Sequence, residues 1–164
     1  MEYILKDNRT GNASPLRTRF SIIRDNSRLK CSFEAYDSSL NSYSSVDNDD
    51  LYKGDAVEIF LDFGDEDRYL EIEVAPNGTK FVAFIINKEI NFIDPNLVET
   101  RSVIKGNDYF VDIDVDLSKF KVNGPIKFNA YRIETKRIKR DYILLAVNPT
   151  LCGTFHVRNS FIKA

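Results

Sequence analysis

The sequence predicts an all-β chain folded as an antiparallel β-sandwich, jelly-roll or immunoglobulin-like, with about nine strands. Three observations carry that expectation. Apolar and polar residues alternate with a period of two in segment after segment, and none shows a helical period. Twelve Phe and eight Tyr accompany many Val, Ile and Thr, the residue types that suit a pleated, half-buried surface. Short clusters of Gly, Asn, Asp and Ser break the pattern at hairpin spacing. No linker or low-complexity tract divides the 164 residues, so 1–164 reads as one unit with a sizeable core.

In chain order, residues 1–15 carry a weak pattern and read as an edge strand or a loose arm. Residues 16–24 and 28–36 form a hairpin across Asp25-Asn26-Ser27, residue types that favour turns. Residues 37–50 are poor in apolar side chains and rich in Ser, Asn and Asp, the composition of a long exposed loop. Strands at 56–63 and 68–75 are split by the acidic turn Gly64-Asp65-Glu66-Asp67, and 79–87 pairs back across Pro76-Asn77-Gly78. Strands at 97–104 and 109–117 flank Lys105-Gly106-Asn107-Asp108. In the second, Tyr109, Val111, Ile113, Val115 and Leu117 share one face, and Asp112, Asp114 and Asp116 the other. Strands at 127–135 and 142–147 flank a basic tip, Lys136-Arg137-Ile138-Lys139-Arg140. Two packed antiparallel sheets are the expected solution.

A net charge of −2 gives no footprint for nucleic acid or for an anionic membrane, and neither is expected as a partner. The basic tip is too short for a nucleic-acid face and reads as a solvated hairpin end. No run approaches the roughly 18 apolar residues of a membrane-spanning helix. Residues 1–9 hold no apolar stretch of signal-peptide length, so with Met1 as the native start a cytoplasmic protein is expected. In that compartment Cys31 and Cys152 are expected as free thiols.

The stretch from Asp47 to Gly78 is the most specific. Tyr52-Lys53-Gly54-Asp55-Ala56-Val57-Glu58-Ile59-Phe60-Leu61-Asp62 and Tyr69-Leu70-Glu71-Ile72-Glu73-Val74-Ala75-Pro76-Asn77-Gly78 resemble the centre of the family 9 carbohydrate-binding modules. That pattern runs roughly Y-x-D-D-x-V-E-I-F-L-D, then Y-x-E-I-x-V-N-P-x-G. Further along, Val111 to Ser118 stands where the family shows E-x-x-I-P-F-S, and Phe128-Asn129-Ala130-Tyr131-Arg132 matches F-N-x-x-R. Ala146-Val147-Asn148-Pro149-Thr150 and Thr154-Phe155-His156-Val157-Arg158 are similar to A-W-S-P-T and F-H-V-P-E. The resemblance spans roughly residues 16 to 162, and implies a sandwich and a noncatalytic saccharide-binding domain. Sugar-binding members clamp the ligand between tryptophans. One of these falls near Val147, and this chain has no Trp. Any saccharide affinity is therefore expected to be weak, because a valine offers no ring for a pyranose to stack on. The alternative is a structural or protein-interaction sandwich that has lost sugar binding.

The candidate ligand-binding residues are Tyr43, Tyr52, Asn129, Arg132, Asn148 and His156. Tyr43 and Tyr52 stand in loop sequence, where a ring can remain exposed in place of a tryptophan. Asn129, Arg132, Asn148 and His156 match motif positions of the family, and for Arg132 a structural role holding Glu58 or a loop carboxylate is favoured over contact with a ligand. Asp47, Asp49 and Asp50, with Asp65-Glu66-Asp67, could offer hard oxygens to a structural calcium, though without EF-hand spacing; no other cofactor is implied. Glu58, Glu71 and Glu73 alternate with apolar residues and read as a solvated sheet face, as do the three Asp of 112–116. A hydrolase using Glu58 with Glu71 or Asp112 finds no supporting motif, so no enzymatic activity is expected.

Overall fold

A computed structural model describes residues 1–136 and 141–164. The chain runs through β1 (Glu2–Ile4), β2 (Lys6–Asp7), β3 (Thr18–Asp25), β4 (Arg28–Ala35), β5 (Ala56–Asp62) and β6 (Arg68–Val74). It continues through β7 (Lys80–Ile86), β8 (Glu89–Phe92), β9 (Val98–Lys105) and β10 (Asp108–Asp116). β11 (Lys127–Lys136), β12 (Asp141–Ala146) and β13 (Ile162–Lys163) complete it. Two antiparallel sheets result, in the orders β1-β3-β4-β10-β9 and β2-β12-β11-β5-β6-β7-β8, with β13 beside the part of β11 that β12 does not reach.

The nine long strands are the ones that alternation predicts. The other four, β1, β2, β8 and β13, are two to four residues long, too short to show a period. The basic tip expected between β11 and β12 falls on 137–140, outside the described residues. Residues 1–15 are no loose arm. β1 pairs with β3 in one sheet and β2 with β12 in the other, so the chain changes sheets at Leu5, which is buried. Tyr3 packs against Phe20 of one sheet and Phe128 of the other, at 6.2 and 5.8 Å between ring centres.

The space between the sheets is filled as the alternation requires. Val57, Ile59, Leu61, Leu70, Ile72 and Val74 face Phe20, Leu29, Phe33, Val111, Ile113 and Val115, all within one buried cluster. Each such side chain contributes roughly 1.5–3 kcal/mol through lost apolar surface. One ion pair is enclosed as well. Arg132 on β11 sits opposite Val57 and is fully buried; its Nη2 donates to Glu134 at 2.7 Å. Its Nη1 donates to Thr18 Oγ1 and to the Tyr36 carbonyl, each at 2.9 Å.

The segment expected as a long exposed loop is a loop and is exposed at Tyr43 and Val46, but its first residues fold around a buried carboxylate. Asp55 accepts hydrogen bonds from the Asn41 amide, from the Ser39 hydroxyl, and from both the amide and hydroxyl of Thr135, at 2.6 to 2.8 Å. Gly54 is required beside it, because a Cβ there would lie 2.4 Å from the Asn41 carbonyl oxygen. Leu51 plugs this loop into a small cluster with Ala75, Phe81 and Ala83 on the outer face of the larger sheet.

Candidate ligand-binding site

That outer face carries a cleft. Strand register sets its floor. Glu58 on β5 lies directly between Tyr131 on β11 and Glu73 on β6, and Glu73 is followed by Phe81 on β7. The adjacent row runs Asn129, Phe60, Glu71, Ala83, and beyond it Tyr69 pairs with Ile85. Three glutamates thus stand together among aromatic and small side chains. Three loops raise walls around them: the 38–55 loop with Tyr52, the β7–β8 turn with Asn87 and Lys88, and the segment Gly153 to Arg158. The enclosed volume is about 750 Å³, within the ~300–1,000 Å³ of small-molecule sites.

The alternation of 56–62 and 68–74 therefore marks two covered faces, and the solvated reading of Glu58, Glu71 and Glu73 is corrected. They are 3%, 7% and 2% exposed. The loops do the covering, and periodicity carries no information about loops. Glu71 Oε2 and Glu73 Oε1 have no hydrogen-bond partner among the described residues. Burial is the main force on all three carboxyls. It pushes Glu71 up to about 8. Glu58 and Glu73 are also driven well above the usual carboxylate range, with repulsion from neighbouring acids adding to desolvation.

The C-terminal wall is anchored by charge. Arg158 reaches Asp62 at 3.0 Å and donates to the carbonyls of Asp65 and Glu66, which fastens the segment to the β5–β6 turn. His156 then stacks on Phe60 with 5.2 Å between ring centres and 24° between planes. Its Nδ1 shares a 2.6 Å hydrogen bond with Tyr69 Oη and lies 4.0 Å from Glu71 Oε2. Desolvation lowers the His156 pKa and raises that of Tyr69. Phe155 stacks on Tyr131 at 4.2 Å. Tyr52, half exposed, and His156, with its side chain 49% exposed, are the lining rings that stay open to solvent.

Of the six candidate residues, the structure brings Tyr52 and His156 into this cleft. Tyr43 is exposed and outside the lining; it shares the Lys53 ammonium with Tyr52, at 5.1 and 5.9 Å from the two rings. Asn129 and Asn148 are spent on the chain itself. Asn129 Nδ2 donates to the Asn148 carbonyl at 2.7 Å, and Asn148 Nδ2 to the Ser160 carbonyl at 2.8 Å, which ties down the last loop. Arg132 lies between the sheets, away from the cleft, and its carboxylate partner is Glu134, not Glu58. Asp112 belongs to the other sheet, so it cannot act with Glu58. In the calcium candidate loop, Asp47 accepts from the Lys80 amide, Asp49 from the Asp50 amide, and Asp50 pairs with Lys53 at 2.7 Å. Among the described residues no three His, Cys, Asp or Glu side chains converge as metal ligands.

No family model matches the chain. A protein of Arthroderma benhamiae named an extracellular protein is 26% identical over 176 residues, covering 90% of this chain and 77% of that protein. A Bacteroides uniformis structure, provisionally described as a carbohydrate-binding protein, superposes with a TM-score of 0.83 at 16% identity. That match covers 99% of this chain and 84% of the other. A family 9 carbohydrate-binding module of Caldicellulosiruptor kristjanssonii in complex with cellotriose gives a TM-score of 0.66 at 23% identity, over 90% and 72% of the two chains. Its glucose complex gives 0.64 at 23% identity, over 88% and 74%. The fold is that of the family 9 modules, as the motifs from Tyr52 to Arg158 imply.

Proposed function

We propose that this is a noncatalytic saccharide-binding domain whose ligand enters the cleft over Glu58, Glu71 and Glu73. The observation that carries the reading is the pair of buried, unpartnered carboxyl oxygens on Glu71 and Glu73, two residues that line a roomy cleft. A buried polar group left unpaired costs about 1–3 kcal/mol, so a ligand that supplies hydroxyl donors gains what the free protein lacks. Tyr52 and His156 give the sugar ring faces to lie on. The module structures bound to cellotriose and glucose support the substrate class.

The carboxylate arrangement argues against hydrolysis. Glycosidases hold two carboxyls on either side of the scissile bond. Here all three project from one sheet face, side by side on a floor. Calorimetric or NMR titration with glucose, cellobiose and xylobiose tests the proposal. Binding should be weak, about millimolar or near −4 kcal/mol, since no tryptophan is present. Silence at tens of millimolar would reject it in favour of an interaction domain. The feature that favours that second reading is β8, an edge strand whose Ile90 and Phe92 are exposed. Sedimentation showing a concentration-dependent dimer that is lost on Phe92→Lys would support it.

A further inference from the structure

The cleft gathers more carboxyl groups than any neutral sugar needs. Glu58, Glu71 and Glu73 form its floor. Around them stand Asp50, Asp67 and Tyr69, and against these His156, Lys88 and Arg158. The positive groups are committed or distant. Arg158 is held by Asp62 and two carbonyls. Lys88 is exposed on the β7–β8 turn, and among the described residues no ion pair joins either to the three glutamates. His156 approaches Glu71 only to 4.0 Å. Three carboxyls packed on one floor with no counter-cation describe a site whose positive charge arrives with its occupant. A metal does not fit that role, since no three ligating groups converge among the described residues.

We infer that the cleft selects an amino saccharide, its protonated amine placed against the unpartnered oxygens of Glu71 and Glu73 while the ring lies on Tyr52 or His156. The inference rests on the saccharide reading above and sharpens it to a ligand class. A sugar ring provides the stacking face, and an ammonium group provides three donors and the missing charge in one substituent. The raised Glu71 pKa agrees with this, because a carboxyl without a cation holds its proton and one beside an ammonium gives it up.

Titration of the full chain at pH 7 with glucosamine, glucose and N-acetylglucosamine separates the charge from the sugar. Glucosamine should bind roughly tenfold tighter (about 1.4 kcal/mol) than either neutral analogue. It should also release protons, seen as a binding heat that changes with the ionisation enthalpy of the buffer. Chitobiose with free amines should show the same preference over cellobiose. Glu71→Gln and Glu73→Gln, near-isosteric exchanges, should erase the preference, and Asp112→Asn on the other sheet should leave both glucosamine and glucose binding intact. Equal binding of glucose and glucosamine overturns the inference and leaves the saccharide reading standing. Equal binding of glucosamine and cyclohexylamine overturns both, because the cleft would then read charge without sugar. No binding of any sugar also overturns both.

Discussion

The two sheets carry the same sequence pattern to opposite ends. On β10, Asp112, Asp114 and Asp116 alternate with Val111, Ile113 and Val115. On β5 and β6, Glu58, Glu71 and Glu73 alternate with Val57, Ile59, Leu70, Ile72 and Val74. The aspartates meet solvent and partners. Asp112 accepts from Ser32 at 2.7 Å, and Arg28 bridges Asp114 at 2.9 Å, Asp116 at 3.8 Å and Glu99 at 3.1 Å. The glutamates are nearly shut off from solvent, Glu71 Oε2 and Glu73 Oε1 have no hydrogen-bond partner among the described residues, and His156 comes only within 4.0 Å of Glu71. Alternation tells which residues share a face. What covers that face is decided by segments without any period, and the cost of misjudging it falls on the charged residues.

The largest test uses arginine, which follows the same division. Arg132 and Glu134 are 0% and 5% exposed, whereas Arg28 and Asp114 are 32% and 27%. Removing one member of an enclosed pair strands the other charge and costs about 3–5 kcal/mol. Arg132→Ala should therefore shift the urea midpoint strongly or prevent folding. Arg28→Ala should shift it only slightly, because water replaces the lost contacts. Equal midpoints would show that burial does not distinguish the two pairs.

Next in size is a pH effect confined to the roofed face. Glu71 has a folded value of about 8 against an ordinary 4.5, so the folded protein holds its proton more tightly than the unfolded chain. Its contribution to stability is complete below 4.5 and is lost as pH rises through about 8. Glu58 and Glu73 act in the same direction. His156, lowered from 6.5 by desolvation, acts oppositely on the acid side, so the window from 6.5 upward isolates the carboxyls. The melting temperature should fall from pH 6.5 to pH 8. Glu71→Gln should flatten the fall and exceed the native protein at pH 8, on the order of 5 °C at ~1.4 kcal/mol per pKa unit. A native profile that is flat over this range would mean that the carboxyls are solvated after all.

Smaller again is the contrast between two loop tyrosines that sit on the same lysine. Tyr52 lines the cleft and Tyr43 does not. An aromatic contact adds about 0.5–1.5 kcal/mol, so Tyr52→Ala should weaken saccharide binding about three- to tenfold without lowering the melting temperature. Tyr43→Ala should leave the affinity unchanged. If only Tyr43→Ala mattered, the ligand would lie outside the cleft.

Nine strands and the hairpin pairings between neighbours were legible because a period of two and turn residues mark them, whereas the long-range pairings of β4 with β10 and β5 with β11 were not. The cleft was only half legible. Loop placement reached Tyr52 and motif matching reached His156, but motif matching also reached Asn129, Arg132 and Asn148, whose polar groups are consumed by the chain's own loops and core. Glu58, Glu71 and Glu73 were visible in the alternation but were assigned to solvent. One signal could have found them. Two acids stand on one seven-residue strand, Glu71 and Glu73, directly across from Phe60 and Glu58 in the hairpin register, and their other neighbours are Ala83 and Phe81. A solvated face seldom sets aromatic and small apolar side chains around its acids. Asp55 was missed for another reason. Its role depends on a loop that folds back upon it, contacts that no local pattern encodes.

The smallest expected effect is the most exacting test of the comparison. Asp112→Asn removes a charge from a face where the neighbouring Arg28 already has Asp114, Asp116 and Glu99. The amide oxygen can still accept from Ser32, which now donates to Asp112 at 2.7 Å. Solvent and the remaining carboxylates absorb the change, so the melting temperature should move by about 2 °C or less. It should move equally at pH 6.5 and pH 8, because no buried proton is involved, and saccharide titrations should be unaltered. Glu73→Gln makes the same near-isosteric exchange on a face of the same period, but replaces a buried carboxyl whose pKa burial drives well above the usual range, and should differ in all three readouts. Should Asp112→Asn reproduce the pH profile of the glutamate variants, the effect would belong to the net charge of the chain, and the distinction between roofed and open faces would fail.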